Sequence, residues 1–422
     1  VLTNYAGRFV RLSKEEFVNF LEDKLDTKSA AYKDLQEKGF VKSKEKETEI
    51  ATKYAYKNHF LMNGPVLHIF IVTLRCDNKC LYCHASARDM NEGEYDMSIE
   101  TAKKSLDIVL ASPNKTVAIE FQGGEPLANW EVLRFVVEEA KKRNKKLPKS
   151  KRKNLEIRLV TNFNLMTDER LEFLLENKVD ICTSLDGPKE LHNKNRPMIH
   201  GGDDNYSNVV GWIKKIQKYG TKVAAIPTIS KYSLSKSKEI VDEYVKNKLD
   251  GVFLMPINHY GFTVKTWEQT GYSADEYIEF YKATLDYILE LNKKGIKTKD
   301  HMTQIFLQKI FAERDPNMTE LRSPCGAGIE QLAYNYNGKI YTCDEGRMMS
   351  EMGEESFCLG SVDNKYSELI DSPVTKTMCL SSCTIGVPGC NDCAYQPYCG
   401  ICPIYNLTEQ GNILGQMPTN QR

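Results

Sequence analysis

The run His68-Ile69-Phe70-Ile71-Val72-Thr73-Leu74 passes without a break into Arg75-Cys76-Asp77-Asn78-Lys79-Cys80-Leu81-Tyr82-Cys83. Its first half is almost wholly apolar and reads as a strand buried on both faces. Similar runs follow at 117–121, 155–161, 179–185, 223–229 and 252–255. Between them, apolar residues recur at helical spacing over 99–110, 130–140, 168–175, 209–219 and 236–245. Near-continuous apolar strands separated by amphipathic helices predict a parallel sheet covered by helices. Six such units are too few for the eight-strand closed barrel, so the expected fold is α/β, with an open or partial (β/α)6 TIM-like barrel. Chemistry in such folds sits at the C-terminal ends of the strands, and three thiols stand where the first strand ends.

A chain of 422 residues predicts two or three packed units. We read 1–62 as an N-terminal helical extension, 63–300 as the barrel and 301–422 as a small α+β domain. Hydrophobic residues at 41% and charged residues at 27% describe a globular protein. Basic and acidic residues balance at 57 each, so no global field favours nucleic acid or an anionic membrane. No apolar run approaches the roughly 18–20 residues that cross a bilayer. The first residues lack the basic-then-apolar order of a secretory signal, which makes a cytoplasmic setting the expectation. Thirteen cysteines, nine of them after residue 320, then favour metal binding over disulfides.

In the N-terminal piece, Ser13-Lys14-Glu15-Glu16 has capping-box order and opens a helix; a second helix ends near Lys38-Gly39, and Phe40-Val41 begins a strand. This piece is either a packing extension or a peptide-docking module. Residues 141–153 hold nine basic side chains and no acidic one. Without interleaved aromatics they read as a solvated helix end rather than a nucleic-acid surface. Residues 275–293 form a long amphipathic helix, and 332–335 and 339–342 read as strands around the turn Asn337-Gly338.

Cys76, Cys80 and Cys83 sit on one tight loop and converge on one centre. With His84 they could make a closed zinc site. A four-iron cube normally takes four cysteines, so three leave one iron open. Cys-x3-Cys-x2-Cys with Tyr82 before the last cysteine resembles the signature of the radical S-adenosylmethionine (SAM) superfamily. There, the resemblance implies, the open iron chelates the methionine part of SAM, and reductive cleavage yields a 5′-deoxyadenosyl radical that abstracts hydrogen. The second strand ends in Phe121-Gln122-Gly123-Gly124-Glu125-Pro126, similar to the family's GGEP motif, which holds the methionine amine. The fourth ends in Thr183-Ser184-Leu185-Asp186-Gly187-Pro188. In similar enzymes its serine lies near SAM and its aspartate near substrate. Asn162 and Arg196 face the same mouth in this reading, while each polar group could instead cap a helix or satisfy a turn. Cys182 reads as a small buried hydrophobe.

Downstream, Cys325-x12-Gly338-x4-Cys343 and Cys390-x2-Cys393-x5-Cys399-x2-Cys402 closely resemble the SPASM domain, which carries two auxiliary clusters in peptide- and protein-modifying radical SAM enzymes. The resemblance assigns Cys325, Cys343 and Cys402 to the first and Cys390, Cys393 and Cys399 to the second. A zinc ribbon is the alternative. Two departures stand out. The last spacing is two residues where the family has three, and the family's final cysteine has no counterpart before Arg422. Either the sequence stops short of that ligand or Cys379 or Cys383 replaces it, Cys383 being better placed; Cys358 or Cys379 could complete the first cluster. Asp344, directly after Cys343, matches the position of a proton-accepting aspartate in sulfatase-maturating relatives, and beside an anionic cluster it is expected to hold its proton more tightly.

The stretches 67–85, 122–130, 322–326, 341–348 and 395–405 resemble the His-Xaa-Ser system radical SAM maturases. That resemblance implies three [4Fe-4S] clusters, SAM, a ribosomally made precursor peptide and an electron donor such as flavodoxin or ferredoxin. Formylglycine formation on a sulfatase is the rival enzyme reading. An iron–sulfur or zinc protein without SAM chemistry is the rival of another class.

Overall fold

The computed structural model describes every residue except 200, 201, 203, 313, 314, 317 and 416–422. The chain opens with a hairpin of β1 (Leu2–Thr3) and β2 (Phe9–Val10). Helix Lys14–Leu21 then starts on the expected capping box, with Ser13 and Glu16 serving each other's backbone N–H. Helix Ala30–Glu37 ends before Gly39, whose φ of +82° is the left-handed conformation glycine tolerates best. Phe40-Val41 forms no strand. The chain instead enters a helix over Lys44–Lys57 that the sequence reading missed. Ser43 caps it and Glu45 and Glu47 favour its first turn, but its polar composition carries no apolar stripe to announce it.

The barrel strands are β3 (Leu67–Thr73), β4 (Thr116–Gly123), β5 (Asn154–Val160), β6 (Asp180–Ser184) and β7 (Ala224–Ile226), paired in parallel in that order. Both faces of β3 are buried. Phe70 and Val72 join the main core with Phe121, Leu133, Val137 and Leu159. Ile69 and Ile71 join a second cluster with Ala333 and Tyr341. Each such fully buried side chain contributes about 1.5–3 kcal/mol. Pro227 interrupts the fifth run, since proline cannot donate to a ladder. Beyond it, β8 (Thr228–Ile229) pairs with β9 (Met255–Pro256) as a separate parallel pair. The sixth strand is therefore shorter and later than 252–255; Val252 makes only an isolated bridge to Asp300.

The C-terminal region enters the same sheet. Strands β10 (Gln331–Tyr334) and β11 (Lys339–Tyr341) form the hairpin expected around Gly338, and β12 (Cys358–Ser361) pairs with β11. Strand β10 runs parallel to β3, giving an eight-stranded sheet of order β12-β11-β10-β3-β4-β5-β6-β7. The basic run closes helix Trp130–Lys146 and is spent on local contacts: Arg143 pairs with Asp107 and Glu139, and Lys153 donates to the carbonyl of Asn114. No described helix is long and apolar enough to cross a membrane.

Candidate active site

At the end of β3 the chain swings outward through Leu74-Arg75. Arg75 anchors this turn, with Nε donating to Asp96 at 2.8 Å. The cysteine loop is then laced by backbone bonds to the segment that follows β6. Lys79 N donates to Pro197 O (2.8 Å), Leu81 N to Asn195 O (3.0 Å) and Ile199 N to Asp77 O (2.7 Å). These bonds turn Cys76, Cys80 and Cys83 toward one cavity of about 210 Å³, shared with Gly123, Gly124, Asn162, Ser184 and Arg196. Burial pushes the Cys80 thiol up to about 12 and raises Cys76 as well, because a thiolate is poorly solvated there. Only a bound cationic centre makes deprotonation favourable in such a place.

Gly123 and Gly124 let β4 pass against the loop. A Cβ on Gly124 would lie 2.4 Å from Leu74 O and 2.3 Å from Arg75 O; one on Gly123 would lie 2.5 Å from Thr73 O. The bare backbone is thus required by the close packing of β4 on the loop, and both glycines line the cavity. Glu125 is buried, and its carboxylate accepts from Leu127 N (3.0 Å), Thr161 Oγ1 (2.7 Å) and Asn162 N (2.7 Å). It thus ties the end of β4 to the end of β5, and burial still lifts its pKa to about 7. Gln122 lies apart from the cavity lining, its amide donating to Glu120.

Asp186 is fully buried behind the cavity wall. It accepts from the Tyr82 phenol, Asn195 Nδ2 (3.1 Å), Arg196 Nε (3.1 Å) and Thr228 N (3.2 Å). Arg196 stacks 5.3 Å from the Tyr82 ring centre and reaches toward Cys80 Sγ at 4.0 Å. On the other side, Asn162 Nδ2 donates to Asp77 at 2.7 Å and faces Cys76 Sγ at 3.7 Å. Both amide and guanidinium are therefore aimed at thiols of the cysteine loop. Among the lining residues, sequence reasoning missed Thr228 and Met348. Thr228 lies within an apolar run and the strand-end rule could have found it; Met348 comes from the C-terminal region, which no local signal connects to this cavity. His84 packs edge-on against Tyr260, 5.5 Å between ring centres. Cys182 is half-buried, its thiol on the carbonyl of Thr183.

Cys325, Cys343 and Cys402 come together in one apolar cluster with Tyr260, Met349 and Ile404. Cys390, Cys393 and Cys399 gather separately, close enough that their charges act on one another. Cys379 and Cys383 interact likewise. Cys358 packs instead in the cluster of Ile69, Ile71 and Tyr341. Asp344 opens helix Asp344–Ser350, and Arg347 grips its carboxylate through Nε (3.1 Å) and Nη2 (2.8 Å) while donating to Ala85 O on the cavity rim. Among the described residues, no three Cys, His, Asp or Glu side chains converge as ligands of one ion.

Residues 70–243 match the Radical SAM superfamily. The chain carries a radical SAM domain. Such a domain implies SAM and a [4Fe-4S] cluster, and its curated relatives include enzymes. An uncharacterised protein of Methanothermobacter thermautotrophicus is 28% identical over 43% of this chain, and the match spans 65% of that protein's length. A cysteine-type anaerobic sulfatase-maturating enzyme of Clostridium perfringens is 29% identical, covering 64% of this chain and 71% of the enzyme. Among solved structures, native anSMEcpe with bound AdoMet superposes with a TM-score of 0.68 at 21% identity, covering 83% of this chain and 93% of that one. Streptococcus suis SuiB bound to precursor peptide SuiA gives 0.62 at 15% identity, covering 96% and 87%. The radical SAM fold extended by a C-terminal helical and sheet region is common to all three.

Proposed function

We propose that this radical SAM domain serves a peptide maturase that oxidatively modifies or cross-links residues of a ribosomally made precursor peptide. The observation that carries the reading is the gathering of three separate thiol groups, one at the barrel mouth and two in the C-terminal region. In this reading Cys76, Cys80 and Cys83 hold the cluster that binds SAM. Cys325, Cys343 and Cys402 hold a first auxiliary cluster. Cys390, Cys393 and Cys399 hold a second, with Cys383 the favoured further ligand. When bound, the first cluster supplies one electron for reductive cleavage of SAM, and auxiliary clusters suit electron acceptance because their potentials are tunable over a wide range.

The chain's own residues have distinct tasks. Gly123 and Gly124 let the cysteine loop seat against β4 at the cavity, Ser184 and Asn162 offer polar contacts, and Arg196 places positive charge beside Cys80. Glu125 holds two strand ends in register through its three bonds, and through them fixes Asn162. Asp186 and Tyr82 hold Arg196. The likeness to SuiB, a structure bound to its precursor peptide SuiA, runs over 96% of this chain and supports the precursor-peptide reading. A formylglycine-forming activity has its own support in Asp344, positioned one residue after Cys343, and in the clostridial relative. An electron donor of the flavodoxin or ferredoxin kind and a cytoplasmic setting complete the proposal.

Anaerobic reconstitution with iron, sulfide, SAM and dithionite tests it. About twelve irons per chain are expected for three cubes, with formation of 5′-deoxyadenosine. Replacing Cys76, Cys80 and Cys83 by Ala together should remove one third of the iron and all SAM cleavage. Cleavage surviving in that variant refutes the site. Incubation with a precursor peptide and, separately, a sulfatase peptide distinguishes the two substrates by mass change.

A further inference from the structure

Helix His301–Phe311 packs on the turn Gln396–Tyr398, immediately before Cys399. It delivers Lys309, a lysine only 5% exposed, which donates to Leu321 O and pairs with Asp315 at 3.3 Å. The N-terminal extension closes over the same place. Tyr398 Oη donates to Gly7 O at 2.8 Å, and Lys57 donates to Pro397 O and lies 3.9 Å from Asp315. Beneath them Arg322, 2% exposed, is stacked on Phe60 (4.1 Å) and paired with Glu330. Three parts of the chain thus bring three cations to one buried layer. Lys309 is within electrostatic range of Cys399, and Arg322 of Cys325, so the layer reaches both auxiliary thiol groups.

Buried charge is expensive, and a buried ion pair seldom stabilises a fold more than apolar residues of similar volume. Its retention here calls for another use. An iron–sulfur cube held by thiolates is anionic, and a cation in a medium of low dielectric favours whichever state carries more negative charge, which is the reduced one. Burial, the larger influence, lowers the pKa of Lys309 from its ordinary value, and Asp315 opposes that shift.

We propose that Lys309, supported by Lys57 from the N-terminal extension, sets the reduction potential of the cluster at Cys390, Cys393 and Cys399, making that cluster a better electron acceptor. Lys309 acts on the cluster's charge and touches neither substrate nor SAM. This gives the N-terminal extension a redox role whatever peptide it binds. The proposal rests on the auxiliary-cluster assignment above, which the experiment checks separately.

The test is an EPR-monitored redox titration of reconstituted full-length protein, the cluster being assigned by its absence from Cys399→Ala. In Lys309→Met the midpoint of that cluster should move negative, so that the fraction reduced at a fixed potential near the midpoint falls several-fold. Lys309→Arg should restore it, and the cluster at Cys76, Cys80 and Cys83 should keep its midpoint. Lys57→Met should shift the same cluster in the same direction by less; being half-buried, it decides the matter if Lys309→Met does not fold. Unchanged midpoints in folded variants carrying a full iron complement overturn the proposal. Wild-type protein that takes up one cube alone overturns the assignment instead.

Discussion

The phenol of Tyr82 donates a hydrogen bond to the carboxylate of Asp186, joining the cysteine loop to the end of β6 across 104 positions of sequence. The same carboxylate carries Arg196, so one buried acid holds both the aromatic and the cationic wall beside Cys80.

Removing that acid should therefore be worse than removing the phenol. Asp186→Asn leaves the Arg196 guanidinium buried without its counter-ion, which costs about 3–5 kcal/mol. Tyr82→Phe forfeits one charge-assisted bond, about 1.5–3 kcal/mol. Urea denaturation of the apoproteins measures both, and the order should be Asp186→Asn below Tyr82→Phe below wild type.

Gly124→Ala should prevent the cysteine loop from seating on β4. Its Cβ would collide with backbone oxygens of Leu74 and Arg75 that cannot rotate away. Iron uptake at the first cluster and SAM cleavage should both fall at least tenfold. Gly93→Ala, where a Cβ meets nothing within 4 Å, is the matched control and should behave as wild type.

Two buried histidines predict the acid limb of stability. Burial depresses His68 to about 3 and His192 to about 4, from 6.5. Both are neutral in the fold and gain protons in the unfolded chain, so their contribution is intact above pH 6.5. It is lost as pH falls, at about 1.4 kcal/mol per pH unit for each, until about pH 4 for His192 and about pH 3 for His68. Denaturation midpoints between pH 7 and 4 should show a shallower slope in His68→Gln than in wild type.

Glu125→Gln keeps the shape of the side chain but replaces one acceptor oxygen by an NH2 group. That group must face Asn162 N or the donors from Leu127 and Thr161, leaving a buried donor unmatched at about 1–3 kcal/mol. Weaker SAM binding by isothermal calorimetry, with total iron uptake unchanged, is the expected result. Unaltered affinity would mean that Asn162 does not depend on Glu125.

The elements that announced themselves did so through local pattern. Strand β3 and its cysteine loop, the two glycines after β4 and the capping box at Ser13 are each fixed by residues within a few positions of one another. Helix Lys44–Lys57 escaped notice because a polar helix has no apolar period, and β9 was misplaced because Val252 bridges Asp300 instead, so that pairing with β8 begins only at Met255. Glu125, read as a ligand for an ammonium group, also accepts from Leu127, Thr161 and Asn162, partners that no local pattern named.

What the sequence by itself determined is the placing of three thiols and two glycines at strand ends, because strand period, loop spacing and the need for a bare backbone are all short-range properties. Only the tertiary structure decided who holds whom. The pairing of Tyr82 with Asp186, the entry of β10 beside β3, and the closure of Lys57 and Gly7 over the turn before Cys399 join residues from 104 to 391 positions apart. Such contacts arise when buried polar groups from distant segments must satisfy one another, and no local pattern records which partner will arrive.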